Sequence, residues 1–352
     1  MKEDVSKLRT FAIISHGGAG KTSLAEAMLF NAGVTTRLGK VDDSTSVMDY
    51  EPEEVKRKTT MSTAFNTLSW KKHQLTIIDT PGDFNFIAET KTSMQGADAV
   101  LVLADAVDGV RVQTEKVWEF AEDFGLPKII FVSKMDRERS DFFKTVEDIQ
   151  NNFGRSCVPL QIPVGAAEDF KGVVDLLNGK AFLFTKGDSG QFDVQEVPEE
   201  LKERFEQYRE ELIEQVAESN DDLLEKYLEE GSLSLEEVTA GLRNAVSSRK
   251  LVPVTCGAGP INAGIQPLLD LIVDCLPSPL DRGPREAFLP GKEDVVMRGP
   301  DADAPFSALV IKTISDPYAG RLSVIRIFSG SLSPDSSVYN ATKQARERFG
   351  QL

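Results

Sequence analysis

The sequence has little histidine, little cysteine and no net positive charge, and each of these features argues against a class of protein. Only two histidines, His16 and His73, occur in 352 residues, which excludes a histidine-rich metal site. The cysteines, Cys157, Cys256 and Cys275, lack Cys-x-x-Cys spacing and cannot all pair, as expected for reduced thiols in a cytoplasmic protein. A formal net charge of -16 argues against a protein that coats nucleic acid by electrostatics alone.

Long apolar segments are also missing. The sequence has no apolar run of about 18 residues and no early signal-peptide core, so we expect neither a membrane span nor a targeting segment. The remaining composition, 41% apolar and 27% charged, is ordinary for a soluble globular protein. The length predicts roughly two or three domains.

A glycine-rich segment lies between an apolar run and a predicted helix. Residues 11–14 predict a buried strand and residues 21–29 a helix. Together they concentrate backbone N–H groups and a positive dipole at one place, so we predict a phosphate-binding loop. Lys21 would reach the terminal phosphates and the Thr22 hydroxyl would bind Mg²⁺. The loop residues are Ser15, His16, Gly17, Gly18, Ala19, Gly20, Lys21, Thr22 and Ser23.

The strict form of this motif has glycine where the chain has Ser15. The alternative is therefore a glycine-rich turn with an incidental Lys-Thr pair. The predicted strand and helix on either side favour the phosphate loop.

A second motif follows a predicted hairpin of two strands, residues 62–70 and 75–78. A carboxylate at the end of an apolar strand is where P-loop enzymes hold Mg²⁺, and a glycine there lets a backbone N–H approach the γ-phosphate. A plain turn is the alternative. The polar stretch 34–60, which precedes the hairpin, is too long for a simple connection and predicts a functional or disordered loop. The motif residues are Asp79, Thr80, Pro81 and Gly82.

A third motif, Ser133, Lys134 and Asp136, follows a predicted strand over residues 128–132. A carboxylate at Asp136 can accept two N–H groups of guanine that adenine lacks, and Lys134 would lie along the base. Residues 99–103 predict another buried strand and residues 112–124 a helix. This alternation predicts an α/β fold, an open, mostly parallel sheet with helices on both faces and the ligand at the carboxyl ends of the strands.

An acidic, helical stretch interrupts this alternation from about residue 157 to 250. It is either a solvated insert without a specific role or a subdomain that presents acidic helices to a partner. The sheet resumes at residues 251–257, and a helix is predicted over 266–275. Apolar residues recur at helical spacing within the insert, namely Phe205, Leu212, Val216, Leu223, Leu224 and Tyr227.

We predict a GTP-binding domain over residues 1–285, a linker over 286–303 and a β-rich domain over 304–352. Alternating runs at 306–313 and 321–328, with turns at Asp316-Pro317 and Ser329-Gly330, indicate strands. Only about 50 residues remain after the linker, too few for a barrel of ordinary size. We therefore expect the second domain to be the truncated start of an all-β barrel.

Together these features resemble the translational GTPases, most closely the elongation factor G branch. The resemblance includes the three motifs, the insert, the run Gly264–Pro279, Pro305–Ala308 and Gly330. It implies a P-loop GTPase that binds GTP or GDP and Mg²⁺ and acts on the ribosome in translocation or recycling. It also implies a cytoplasmic monomer that meets rRNA and the ribosomal stalk protein, and further carboxy-terminal domains.

The resemblance also assigns residues. It places Thr60 on Mg²⁺ with Thr22 and Asp79. It puts the guanine beside Cys256, Gly257 and Ala258, and it groups Lys21, Thr60, Gly82 and Asp83 around the reacting phosphate.

Several positions depart from the family around the attacking water. Asp83 stands where the family has the histidine that positions this water, and Thr59 and Gly17 replace two apolar residues. Gly18 replaces an aspartate. Ser133 replaces an asparagine, and Ala258-Gly259 replaces Ser-Ala. An ionised Asp83 would repel the γ-phosphate, so the hypothesis is slow intrinsic hydrolysis with the water ordered by another group or by the ribosome.

Two other functions are open at this point. The first is a nucleotide-dependent binding module that holds GTP and the ribosome but hydrolyses little, which Asp83, Gly17 and Thr59 favour. The second is an ATPase of the same loop architecture, against which Asp136 argues. Within the main interpretation, a tetracycline-resistance ribosomal protection protein is a minor option.

Overall fold

The computed structural model describes residues 4–292, 294–316 and 320–352. The chain divides into two units. The first is Lys7–Pro277, and the second is Ser278–Leu352 with the residues up to Ser6. The predicted end of the GTP-binding domain at residue 285 stays a prediction.

The apolar runs of the first unit form strands. Those that predict buried strands lie in a central sheet, and a separate sheet lies in the insert. The strands are β1 (Leu8–Ile14), β2 (Ala64–Trp70), β3 (His73–Asp79), β4 (Ala99–Asp105), β5 (Lys128–Ser133), β6 (Cys157–Pro159), β7 (Gln161–Val164), β8 (Gly172–Asp175), β9 (Lys180–Phe184), β10 (Phe192–Glu196) and β11 (Val252–Cys256).

Helices of the first unit follow most of these strands. The first of them begins directly after Gly20 and is buried on most of its surface. The helices are α1 (Lys21–Asn31), α2 (Pro52–Arg57), α3 (Ile87–Met94), α4 (Val112–Asp123), α5 (Phe142–Phe153), α6 (Lys202–Glu218), α7 (Asp221–Glu230), α8 (Leu235–Ser247) and α9 (Ile265–Cys275).

The central sheet has the strand order β2-β3-β1-β4-β5-β11-β6. Its neighbouring strands are parallel except β2, which pairs antiparallel with β3. β4 is buried along its whole length, because helices cover both faces of a parallel sheet. The carboxyl ends lie side by side, with Ile13 opposite Asp79 and Asp105 opposite Ser133. The predicted α/β class is confirmed, and all three motifs lie at this edge.

The insert contains its own antiparallel sheet, in the order β10-β9-β8-β7, followed by α6, α7 and α8. The chain leaves the central sheet only after Pro159, because β6 pairs with β11. Phe205, Leu212 and Val216 are buried on α6 as the spacing predicts. The apolar residues of α7 are not fully buried. The insert therefore contains a β-sheet as well as the predicted acidic helices, and its acidic composition does not predict that sheet.

The described part of the second unit contains one helical turn, α10 (Pro279–Arg282), followed by β-hairpins. The segment predicted as a linker overlaps a hairpin of β12 (Arg285–Phe288) and β13 (Val295–Arg298), whose four-residue strands are too short for alternation to show. The two predicted strands correspond to β14 (Ser307–Asp316) and β15 (Gly320–Ser329), and Pro317 of the predicted turn lies outside the described residues. The remaining described strands are β16 (Ser337–Asn340) and β17 (Ala345–Arg348).

Across the described ranges, none of the helices is both long enough and apolar enough to pass through a lipid bilayer.

Candidate nucleotide-binding site

The predicted phosphate loop is an open backbone turn between β1 and α1. Gly18 and Gly20 have φ of +82° and +92°, which only glycine adopts without strain. A Cβ on either would meet no heavy atom of the described residues within 4 Å, so the backbone conformation, and not crowding, favours glycine at both positions. Since α1 begins at Lys21, its N-terminal N–H groups and dipole face the same turn. A phosphate fits this cradle.

Lys21 is buried beneath this loop. Its Nζ donates to the carbonyl oxygens of His16 (2.9 Å) and Ser15 (3.2 Å). Burial lowers the pKa of Lys21, and the attraction of Asp79 opposes that shift. An ammonium has three N–H donors, so one remains for a ligand after these two bonds.

Thr22, Thr60 and Asp79 come together at the start of α1. Thr22 Oγ1 donates to Asp79 Oδ2 at 2.7 Å and lies 2.8 Å from Thr60 Oγ1. Asp79 Oδ1 is buried and has no hydrogen-bond partner among the described residues. Burial raises the pKa of Asp79, opposed by the Thr22 hydrogen bond and by the Lys21 charge. Hard oxygen atoms around an unsatisfied buried carboxylate suit Mg²⁺, so the residues present fit this ion.

Asp49 is a further acidic member of this cluster. Thr60 Oγ1 donates to Asp49 Oδ1 at 2.9 Å, and burial raises the pKa of Asp49. Asp49 lies in the polar stretch 34–60, where no spacing or neighbouring strand marks it. Nothing in the sequence therefore distinguishes Asp49 from its polar neighbours.

Three carboxylates hold the polar stretch and the residues after it against the domain. They are Glu26 of α1, Glu54 of α2 and Glu89 of α3, of which Glu26 and Glu54 are fully buried. The polar stretch, predicted to be either functional or disordered, is thus ordered by side chains that accept backbone N–H groups. Their donors are Ser46 Oγ and the N–H groups of Val47 and Met48 for Glu26 (2.6–2.9 Å), those of Met61 and Ser62 for Glu54 (2.8 Å), and that of Thr63 for Glu89 (2.6 Å).

Gly82 brings the second motif against the phosphate loop. A Cβ at this position would lie 2.3 Å from Lys21 Nζ, 2.6 Å from the His16 carbonyl oxygen and 2.7 Å from Gly17 Cα. Thr80 Oγ1 donates to the Ile13 carbonyl oxygen at 2.7 Å and so ties the motif to β1. The contact is possible only because residue 82 has no side chain.

Asp83 begins the short 3-10 helix Phe84–Phe86. Its Oδ1 accepts hydrogen bonds from the backbone N–H and the side-chain Nδ2 of Asn85, both at 2.8 Å. Aspartate is among the preferred residues for this capping position. The structure therefore gives the carboxylate a local partner within the second motif.

The third motif lies at the end of β5, beside the phosphate loop. Ser133 Oγ donates to the Ala19 carbonyl oxygen at 2.8 Å and links the two. Lys134, with φ of +61°, forms a 2.6 Å ion pair with Asp105. Within the described ranges Asp136 Oδ1 is buried without a hydrogen-bond partner, and such an atom is costly unless a ligand N–H reaches it. The residues present fit a purine that carries N–H donors.

Residues 6–278 match the family described as the Elongation factor Tu GTP binding domain, and residues 305–352 match Elongation factor G domain 2. This chain belongs to the family of the elongation factor Tu GTP binding domain. The family membership predicted from the motifs is confirmed.

Relatives of this GTP-binding chain include elongation factor G of Thermotoga neapolitana and of Thermotoga maritima. Each is 41% identical over 349 residues, which is 99% of this chain and 50% of the relative. A solved crystal structure from Thermus thermophilus is similar with a TM-score of 0.84 and 32% identity, covering 98% of this chain and 48% of that chain. The chain thus spans about half the length of the relatives it matches.

The loop after β11 carries the remaining predicted base contacts of this GTP-binding chain. The N–H groups of Gly257 and Ala258 already donate to Val132 O (3.0 Å) and Ala263 O (2.9 Å). Cys256 is buried, which raises the pKa of its thiol. The loop does reach the third motif, because Met135 N–H donates to the Gly257 carbonyl oxygen at 3.3 Å. Base contacts from these three residues stay a prediction.

His16 of this GTP-binding chain is buried, and its ring Nδ1 lies 2.9 Å from Thr114 Oγ1 of α4. Burial and the charge of Lys21 lower the pKa of His16 to about 4. The ring is therefore neutral near pH 7, and its contact with Thr114 joins the phosphate loop to α4.

Proposed function

We propose that this chain binds GTP and GDP with Mg²⁺ and hydrolyses GTP, as part of a translation factor that acts on the ribosome. The observation that carries the proposal is the cluster of Thr22, Thr60 and Asp79 beside Lys21, in which one buried Asp79 oxygen has no partner in the part of the chain that the structure describes. Family membership supports the nucleotide. The relatives named elongation factor G support the ribosome as the place of action.

In this proposal each residue has a separate task. Mg²⁺, when bound, neutralises charge on the phosphate oxygens. Thr22 and Thr60 would hold it directly, and Asp79 would hold it directly or through water. Lys21 would turn its remaining N–H toward the terminal phosphates, and Gly82 would bring a backbone N–H to the same place. Loops that carry Thr60 and Gly82 can in this way respond to the γ-phosphate.

For the base, we propose that Asp136 accepts two guanine N–H groups and that Lys134 lies along the ring. Ser133 would keep this motif in register with the phosphate loop through its bond to Ala19. The loop at Cys256–Ala258 would close the other side of the base.

The wider setting is part of the same proposal. We propose a cytoplasmic monomer whose acidic insert meets the ribosomal stalk protein while other parts meet rRNA. The chain's activity would belong to translocation, to recycling or to ribosomal protection.

A binding module with little hydrolysis is the second candidate, and Asp83 is the observation that favours it. Its carboxylate caps the following helix. It also brings a negative charge next to Gly82, which lies against Lys21 and the phosphate loop. A capping carboxylate cannot donate the hydrogen bond that a protonated histidine could.

The proposed function is tested by single-turnover hydrolysis of radiolabelled GTP, with and without ribosomes. We expect tight GTP binding, slow hydrolysis by the chain alone, and strong ribosomal stimulation of a full-length protein that contains it. Tight binding without stimulation of that protein would support the binding module. Absence of GTP binding by both would contradict both candidates.

Replacing Asp83 by histidine is expected to raise ribosome-stimulated GTP hydrolysis at least tenfold, because a positioned hydrogen-bond donor replaces a repelling charge. Asp83→Asn is the matched control, since asparagine caps a helix as well as aspartate but lacks the charge. A rate for Asp83→His equal to that of the parent protein would contradict the idea that Asp83 slows hydrolysis.

A further inference from the structure

One loop of the insert is seated on the loop after β11. The insert loop, residues 185–191, joins β9 to β10. Within it residues 185–189 are exposed or nearly so, whereas Gly190 is buried and has φ of +70°. The guanine loop, residues 257–264, joins β11 to α9 and carries part of the proposed base site.

We name the three side-chain amides beside Gly190 the amide socket: Asn31 of α1, Asn262 of the guanine loop and Gln266 of α9. Asn262 Nδ2 donates to the Asp188 carbonyl oxygen at 3.2 Å. Gln266 Nε2 donates to the Gly190 carbonyl oxygen at 2.6 Å. Asn31 Nδ2 donates to Asn262 Oδ1 and to the Ala27 carbonyl oxygen. The socket thus joins the insert loop to the guanine loop and to α1.

The socket fits glycine alone at position 190. A Cβ there would lie 2.4 Å from Asn262 Nδ2, 2.8 Å from Gln266 Nε2 and 2.9 Å from Asn31 Oδ1. Gly187 in the same loop also has positive φ, +114°, but a Cβ there would meet no heavy atom of the chain as described within 4 Å. The tight fit is therefore specific to the point where the two loops meet.

Asn262 also shapes the guanine loop. It is fully buried, its φ is +54°, and its N–H donates to the Gly259 carbonyl oxygen at 3.0 Å. Ala258 and Ala263 exchange backbone hydrogen bonds of 2.9 and 3.1 Å on either side of it. Asparagine tolerates this left-handed conformation better than most residues other than glycine. Its side chain is in turn held by the Asp188 carbonyl oxygen of the insert loop.

We propose that the insert loop is a latch on the guanine loop and that Asn262 and Gln266 are positioning residues for nucleotide retention. With the latch seated, the guanine loop keeps the shape that closes over the base. With the latch displaced, a guanine nucleotide leaves faster. This inference rests on the proposed function, because it requires a guanine nucleotide at this end of the sheet.

The test compares two glycine substitutions in the insert loop by stopped-flow release of fluorescent mant-GDP against excess GDP. Gly190→Ala is expected to raise the dissociation rate at least tenfold, because its methyl group cannot enter the socket. Gly187→Ala is the matched control and is expected to stay within twofold, since it brings backbone strain without a collision. Dissociation of Gly190→Ala within twofold of the wild-type rate would overturn the latch.

Gln266→Ala gives a second, independent variant. It removes one donor from a helix that alanine favours, so the fold is expected to persist. Its dissociation rate is expected to rise about fivefold, and Gly190→Ala/Gln266→Ala should add little to Gly190→Ala, because both act through one contact. If the two substitutions together raised the dissociation rate by the product of their single effects, the idea of one shared contact would be wrong.

Hydrogen exchange of the nucleotide-free chain separates the latch from the proposed function. In Gly190→Ala the backbone N–H groups of Ala258 and Ala263 are expected to exchange at least tenfold faster, with no change in Gly187→Ala. Equal exchange in both variants would overturn the latch. Failure of the wild-type chain to bind mant-GDP, with faster exchange in Gly190→Ala, would instead refute the proposed function and keep only the contact between the loops.

Discussion

Replacing Asp136 by asparagine is expected to shift the base preference of the site from guanine to xanthine. The buried Asp136 Oδ1 has no partner within the described part of the chain, so a base N–H is the group that would satisfy it. An amide loses the charge and one acceptor, and hydrogen bonds to a charged group contribute about 1.5–3 kcal/mol each. We therefore expect GDP affinity to fall by about a hundredfold. The xanthine oxygen, in turn, can accept a hydrogen bond from the new amide.

Isothermal titration with GDP and with xanthosine diphosphate measures this exchange of preference. Asp141→Asn is a matched control. It removes the same charge nearby in the chain, and asparagine still caps α5, where Asp141 accepts from Lys144 N–H. An Asp136→Asn chain that keeps wild-type GDP affinity would refute base recognition by Asp136. Equal losses for both nucleotides would point to damage of the loop and would refute it as well.

Replacing Gly82 by alanine is expected to lower GTP hydrolysis at least a hundredfold and to change GDP affinity by less than threefold. The added methyl group would lie 2.3 Å from Lys21 Nζ and 2.6 Å from the His16 carbonyl oxygen, distances that real Cβ atoms do not show. The second motif must then withdraw from the phosphate loop. Its N–H would no longer reach a reacting phosphate, and removing one such donor costs about a hundredfold or more.

Single-turnover hydrolysis and mant-GDP affinity measure the two effects, with thermal unfolding to verify the fold. Gly299→Ala makes the same chemical change where the Cβ would lie 3.7 Å from its nearest neighbour, an ordinary contact. The proposal for Gly82 fails if Gly82→Ala hydrolyses GTP at the wild-type rate.

Local patterns were sufficient for the motifs and for most of the central sheet, but not for β6, which lies inside the stretch predicted as the insert. The apolar runs that end at Asp79 and Ser133 are buried strands, because a parallel sheet covered on both faces needs continuous apolar sequence. The helix predicted over 112–124 is observed as Val112–Asp123. Because the motifs follow parallel strands of one sheet, their positions at the strand ends bring them to the same edge.

Other features depend on partners far away in the chain, and no local pattern shows them. Glu26 lies within an ordinary helical run, and only the fold shows that its carboxylate accepts from residues 46–48. In the sequence Gly190 resembles any turn glycine, and only the fold shows that the amide socket surrounds it. The strands of the insert sheet are four or five residues long, which is too short for a clear period.

The helix α1 contributes side chains to the phosphate site, to the contact with the polar stretch and to the amide socket. This has a thermodynamic consequence. Lys21 and Thr22 begin it, Glu26 in its middle holds the polar stretch, and Asn31 at its end belongs to the amide socket. Its 11 residues span about 16 Å as one rigid body. Free-energy coupling through such a body is reciprocal. If the seated latch raises the affinity for GDP by some factor, bound GDP must favour the seated latch by that same factor.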